Sequence, residues 1–77
     1  MTLSDLTPRQ REVALLVAQG LTRARIAQQL SHPAHNPLSI RTVDAHIQAI
    51  AGRLPDDGLP AARRVRRWAS AQIALRK

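Results

Sequence analysis

The sequence has no cysteine, no phenylalanine and no tyrosine, and its one aromatic residue is Trp68. Without cysteine, no disulfide, iron–sulfur cluster or thiolate zinc site can staple the chain. With one aromatic ring, the core has to be built from Leu, Ile, Val and Ala. Acidic residues are also scarce: five Asp and Glu stand against twelve Lys and Arg, for a formal charge of +7. The three glycines form no phosphate-cradling loop, and no constellation of catalytic side chains is present. Neither a catalytic residue nor a cofactor is therefore expected. No apolar run is long enough to span a bilayer, and the N-terminus lacks the basic-then-apolar pattern of a signal peptide. The expectation is a cytoplasmic, nucleoid-associated chain that does not contact membrane.

The 77 residues are enough for one small domain over 1–77, with a modest core. Eleven of the twelve cations are arginine, whose planar fork suits paired contacts to phosphates and base edges. A merely solubilising surface would have the same composition, so charge alone leaves both readings open.

The chain punctuates itself into helices. Thr7-Pro8-Arg9-Gln10 combines an N-cap, a proline suited to the first helical position and the glutamine of a capping box. It opens a helix over 8–19, with Val13, Leu16 and Val17 inward and Gly20 just past its end. Thr22 caps a short helix over 23–30, with Ile26, Ala27 and Leu30 inward and Arg23 and Arg25 outward. Ser31 to Leu38 has no helical period, and its two prolines and Asn36 mark a loop. Turns in a helix-turn-helix are about three or four residues, so the 31–38 loop reads as an insertion. His32 and His35, with His46, lack a carboxylate or thiolate companion and make no metal site.

Ser39 caps the next helix, over 40–54. Val43, Ile47, Ile50 and Leu54 share one face, and Arg41, Ala45 and Gln48 lie opposite, with Asp44 on the shoulder. A core helix has this pattern too. In a basic chain, a small, polar outer face is also what a helix entering the DNA major groove requires. Gly52 falls late in this segment, where glycine is a poor helix former. Pro55-Asp56-Asp57-Gly58 signals a turn, and a basic amphipathic helix over 60–75 closes the chain. Ala61, Ala62, Val65, Trp68, Ala69 and Ile73 fall on its apolar side; Arg63 and Arg67 lie opposite, flanked by Arg64 and Arg66.

The order of these pieces resembles the LuxR-type helix-turn-helix family, also called the FixJ/NarL or GerE type. The first block is Leu6-Thr7-Pro8-Arg9-Gln10-Arg11-Glu12-Val13, Leu16, Ala18-Gln19-Gly20-Leu21-Thr22, Ile26-Ala27 and Leu30. The second is Leu38-Ser39, Thr42-Val43, His46-Ile47, Ile50 and Arg53-Leu54. The DNA-binding end of bacterial sigma factors shares the opening, and His46, four residues after Thr42, favours the LuxR type. The resemblance implies an all-α, four-helix helix-turn-helix domain with an extended turn before the recognition helix. It implies sequence-specific binding of double-stranded DNA in bacterial transcriptional regulation, with base reading at Asp44, Ala45 and Gln48. Phosphate contacts fall at Thr22, Arg23, Ser39, Arg41 and Thr42. Dimer contacts of a homodimer fall on the last helix, at Ala61, Ala62, Val65, Trp68 and Ala69. Arg63, Arg64, Arg66 and Arg67 offer further phosphate contacts.

Asp44 would meet a strongly negative surface, and three readings stand side by side: a pair with Arg41 at i−3 that steadies an arginine on phosphate, a hydrogen bond from a cytosine amino group, or a domain that has lost tight DNA binding. A competing reading is a protein-interaction module that pairs with a full-length regulator or RNA polymerase. The chain has no room for the receiver or ligand-binding domain that family members commonly carry. It is either a small stand-alone regulator, which Met1 and the four-helix unit favour, or a piece of a longer protein.

Overall fold

A computed structural model of the chain describes residues 1–30 and 39–75. Among them are four α-helices and no strand: α1 (Pro8–Ala18), α2 (Arg23–Leu30), α3 (Ile40–Ala51) and α4 (Ala61–Leu75). A short 3₁₀ turn, Leu3–Asp5, precedes them. The 31–38 insertion expected before α3, with His32 and His35, lies outside the described residues.

Each boundary has a local cause. Thr7 and Gln10 exchange hydrogen bonds, with each backbone N–H donating to the other's side-chain oxygen at 3.2 Å. This capping box satisfies amides that the first turn of α1 leaves open. At the other end, Gly20 takes φ +86°, the left-handed conformation glycine adopts without steric cost. The Gly20 amide donates to Val17 O at 2.9 Å and the Leu21 amide to Leu16 O at 3.4 Å, the paired bonds of a Schellman ending. Thr22 Oγ1 accepts from the Arg25 amide at the start of α2. Ser39 Oγ accepts from the Thr42 amide at 3.1 Å at the start of α3.

Three helices are shorter than the sequence reading placed them, α4 by one residue because it starts at Ala61 and not Pro60. α1 stops at Ala18, with Gln19 as its cap rather than its last residue. α3 stops at Ala51, not Leu54, and Gly52 is its C-cap. Pro55 has no N–H to extend the ladder and disfavours a helical conformation at Leu54. The segment instead tightens into a turn, with the Arg53 amide donating to Ile50 O and the Leu54 amide to Ala51 O.

The core is aliphatic. Val13, Ile26, Val43, Ile47, Ile50 and Val65 are its largest fully buried side chains. α4 packs on both α1 and α3, while α2 packs on α3 and more lightly on α1. The lead-in is part of this core: Leu3 and Leu6 are buried. Arg11 ties it down by donating from Nε to Leu3 O and from Nη2 to Leu6 O. Arg53 donates to Asp5 O, and Trp68 Nε1 donates to the Met1 carbonyl at 3.3 Å. Thr2 and Asp5 close a box of their own, with the Thr2 amide donating to Asp5 Oδ2 at 2.7 Å.

Candidate nucleic-acid interface

α3 has two unlike sides. Val43, Ile47, Ile50 and Ala51 are buried against the other helices, while Arg41, Ala45, Gln48 and Ala49 are exposed. Burial of the aliphatic stripe fixes the helix, and that leaves Ala45 and Gln48 with nothing packed over them. At its start, Ser39 is exposed and its hydroxyl lies 3.1 Å from that of Thr42. Those two hydroxyls and the capped amides form a polar first turn. Thr22, likewise exposed, stands at the start of α2. His46 is half-buried at the edge of the stripe.

Asp44 does not pair with Arg41. Its partner is Arg23, whose Nε donates to Asp44 Oδ1 at 2.8 Å across the α2–α3 boundary. Arg23 therefore lies along α3 instead of pointing outward with Arg25. Both partners remain partly solvated, with side chains 40% and 43% exposed. Arg23 reaches where Arg41 does not because Asp44 sits on the flank of α3 that faces α2, while Arg41 sits on the outer face.

α4 departs furthest from the sequence reading. Val65 and Ala69, expected on a dimer face, are 0% exposed. They fill the monomer core between α1 and α3. Ala61, Ala62 and Trp68 are half-buried beside them. Val65 and Ala69 are thus engaged within the chain, while Ala61, Ala62 and Trp68 keep part of their surface open.

The four arginines of α4, expected to act alike, do not. Arg64 is folded inward, its side chain 18% exposed and its Nη1 3.9 Å from Asp56. Its Nε is buried with no hydrogen-bond partner. Arg67 is exposed, with Nη1 donating to Asp57 Oδ2 at 3.4 Å. Asp56 and Asp57 are themselves fixed by accepting from the Gly58 and Leu59 amides. Arg63 and Arg66 are exposed and lie away from this acidic turn. Arg64 and Arg67 are thus each set beside a carboxylate of the Asp56–Asp57 turn, and Arg63 and Arg66 are not.

Sequence reasoning missed the clamp of Arg11, Arg53 and Trp68 on the lead-in. The Thr2-x-x-Asp5 box and the Leu3/Leu6 spacing were its only local signals. Among the described residues no group of three or more His, Cys, Asp or Glu could hold a metal ion. No helix there is long and apolar enough to cross a membrane.

A short helix followed by a capped helix with one face buried and one face open, supported by two further helices, defines a helix-turn-helix protein. The model of the family of bacterial regulatory proteins, luxR family (GerE), matches residues 4–62. The chain belongs to that family, as a LuxR-type helix-turn-helix DNA-binding domain of transcription regulation. No curated protein and no solved structure gives a significant match.

Proposed function

We propose that the domain binds double-stranded DNA sequence-specifically, with α3 lying in the major groove. The observation that carries this is the open outer face of α3, where Ala45 and Gln48 are exposed directly opposite the buried Val43, Ile47 and Ile50. The major groove is wide enough for one helix, and the absence of large side chains at Ala45 and Ala49 lets the backbone come close. Gln48 offers a bidentate amide to adenine N6 and N7, and the Ala45 methyl suits contact with a thymine methyl. Asp44 keeps one oxygen on Arg23 and turns the other toward a base amino group, of which cytosine N4 is the fitting type. Thr22, Ser39 and Thr42 present hydroxyls and Arg41 a guanidinium to the phosphates on either side, and these contacts orient the helix without reading sequence. Arg23 acts mainly through Asp44.

The rival reading, a module that docks on a regulator or on RNA polymerase, requires an open apolar face. The burial of Val65 and Ala69 in the core weighs against it. The same burial takes Val65 and Ala69 out of any contact between two copies of α4.

The experiment is selection of duplexes from a random pool, followed by titration of the recovered site and of a scrambled duplex. Enrichment of a defined site and tighter binding to it support the reading. Absence of any retardation at low salt overturns it in favour of a protein partner.

A further inference from the structure

Arg63 and Arg66 lie one turn apart on the side of α4 that faces the end of α1. Neither has a carboxylate partner among the described residues, whereas Arg64 and Arg67 are held at Asp56 and Asp57. Between them and the α1–α2 turn is a shallow depression of about 150 Å³, floored by Val17, Gly20, Leu21 and Ala62. Arg66 is laid over this turn: a Cβ placed on Gly20 would stand 3.5 Å from its Nη2. Two residues beyond Gly20 is Thr22, then Arg23, which reaches α3. One strip of surface thus runs from the first half of α4, over the α1–α2 turn, to the flank of α3.

Two guanidinium groups at i, i+3 are neighbours on a helix and repel each other. An anion between or beside them relieves that repulsion. The carboxylates nearest in sequence, Asp56 and Asp57, are on the other pair, which leaves Arg63 and Arg66 open to an anion from outside the described residues.

We propose that Arg63 and Arg66, together with the α1–α2 turn, form a second phosphate-contact patch for duplex DNA, outside the helix-turn-helix itself. Arg64 and Arg67 take no part in it. The proposal rests on the DNA reading above and extends the footprint along the strand beyond the site under α3. Continuity with Thr22 favours a DNA strand over an acidic protein segment, because one regularly charged chain can follow the whole strip.

The test is the dependence of log K on log[salt], by anisotropy of a labelled duplex, for the parent chain and three double variants. Each lost phosphate contact makes the slope shallower by about 0.9 on B-form DNA. R63Q/R66Q should therefore lose up to about two such steps. R64Q/R67Q should keep the parent slope, and R63K/R66K should retain most of it, since lysine also neutralises phosphate. Arg63→Gln alone, at an exposed position clear of Gly20, should lose about one step and serves if the double variant no longer melts cooperatively. An unchanged slope in folded R63Q/R66Q, or in Arg63→Gln, overturns the patch while leaving DNA binding intact. An equal fall in R64Q/R67Q also overturns it, since net charge would then be the whole effect. A parent chain that binds no duplex at low salt overturns the DNA reading and the patch with it.

Discussion

Arg23, the first residue of α2, bridges to Asp44 of α3 through a 2.8 Å bond from Nε to Oδ1. The bond joins the two helices of the motif beside the exposed outer face of α3, and it neutralises the only carboxylate on that helix. An acid beside a phosphate-lined groove is repelled unless a cation accompanies it, and Arg23 is that cation. Because both side chains are roughly 40% exposed, screening keeps the pair to about 0.2–1 kcal/mol of stability.

Asp44→Asn should therefore leave the melt nearly unchanged and alter recognition instead. Preference at one base pair should fall by about 1–3 kcal/mol, while affinity for scrambled duplex stays level or rises as the acid is removed. Titration against duplexes varied one base pair at a time reads this. A uniform change at every position would mean that Asp44 does not touch a base.

Ser39→Ala removes the acceptor for the Thr42 amide and should cost about 1 kcal/mol, within the usual range for caps. In a domain of this size that is a drop in Tm of about 4–8 °C. Circular dichroism at 222 nm measures it, and an unchanged Tm would show that the first turn of α3 does not depend on its cap.

Ile47→Ala empties a core position that is 1% exposed and should cost about 2–5 kcal/mol. A small domain has little stability in reserve, so the variant should be largely unfolded near 37 °C and lose DNA binding together with structure. Fluorescence of Trp68, the only aromatic residue, follows that loss without interference. A cooperative melt close to the parent's would contradict the packing of α3 described above.

The Thr2 amide bound to the Asp5 carboxylate holds that carboxyl below its ordinary 3.8, against an opposing desolvation effect. A carboxyl lowered in the folded state adds stability that is complete above the unfolded value and is lost as pH falls through the folded one. Stability should thus decline as pH drops below about 4, and Asp5→Asn should flatten that part of the curve. Thermal melts from pH 5 to pH 2 for the two chains compare them. Parallel curves would show that the lead-in box contributes no pH dependence.

Local chemistry made much of this fold legible. Thr7 with Gln10, Thr22 and Ser39 are caps whose partners lie three residues away, and the Val43, Ile47, Ile50 stripe repeats within one helix. The end of α3 is less legible, because the stripe continues to Leu54 and only the restriction that Pro55 puts on the residue before it ends the helix sooner. Contacts between helices were not legible. The choice of Arg23 over Arg41 as partner for Asp44 depends on how α2 lies across α3, which no short spacing encodes. The same holds for Val65 and Ala69, whose apolar character is plain but whose burial by α1 and α3, not by a second chain, is a property of the assembled fold. Helical spacing does not separate Arg64 and Arg67 from Arg63 and Arg66, because it cannot show that the Asp56–Asp57 turn folds back on one pair.

The most direct test is the affinity of Gln48→Ala for the selected site and for a scrambled duplex, at one fixed salt concentration. Gln48 is exposed at the middle of the open face of α3 and makes no side-chain bond within the described fold, so its loss should not disturb the structure. Affinity for the selected site should fall by about 1–3 kcal/mol, with the preference relaxed at a single base pair, and affinity for the scrambled duplex should stay the same. Equal affinities of parent and variant for both duplexes would contradict the placement of α3 in the major groove.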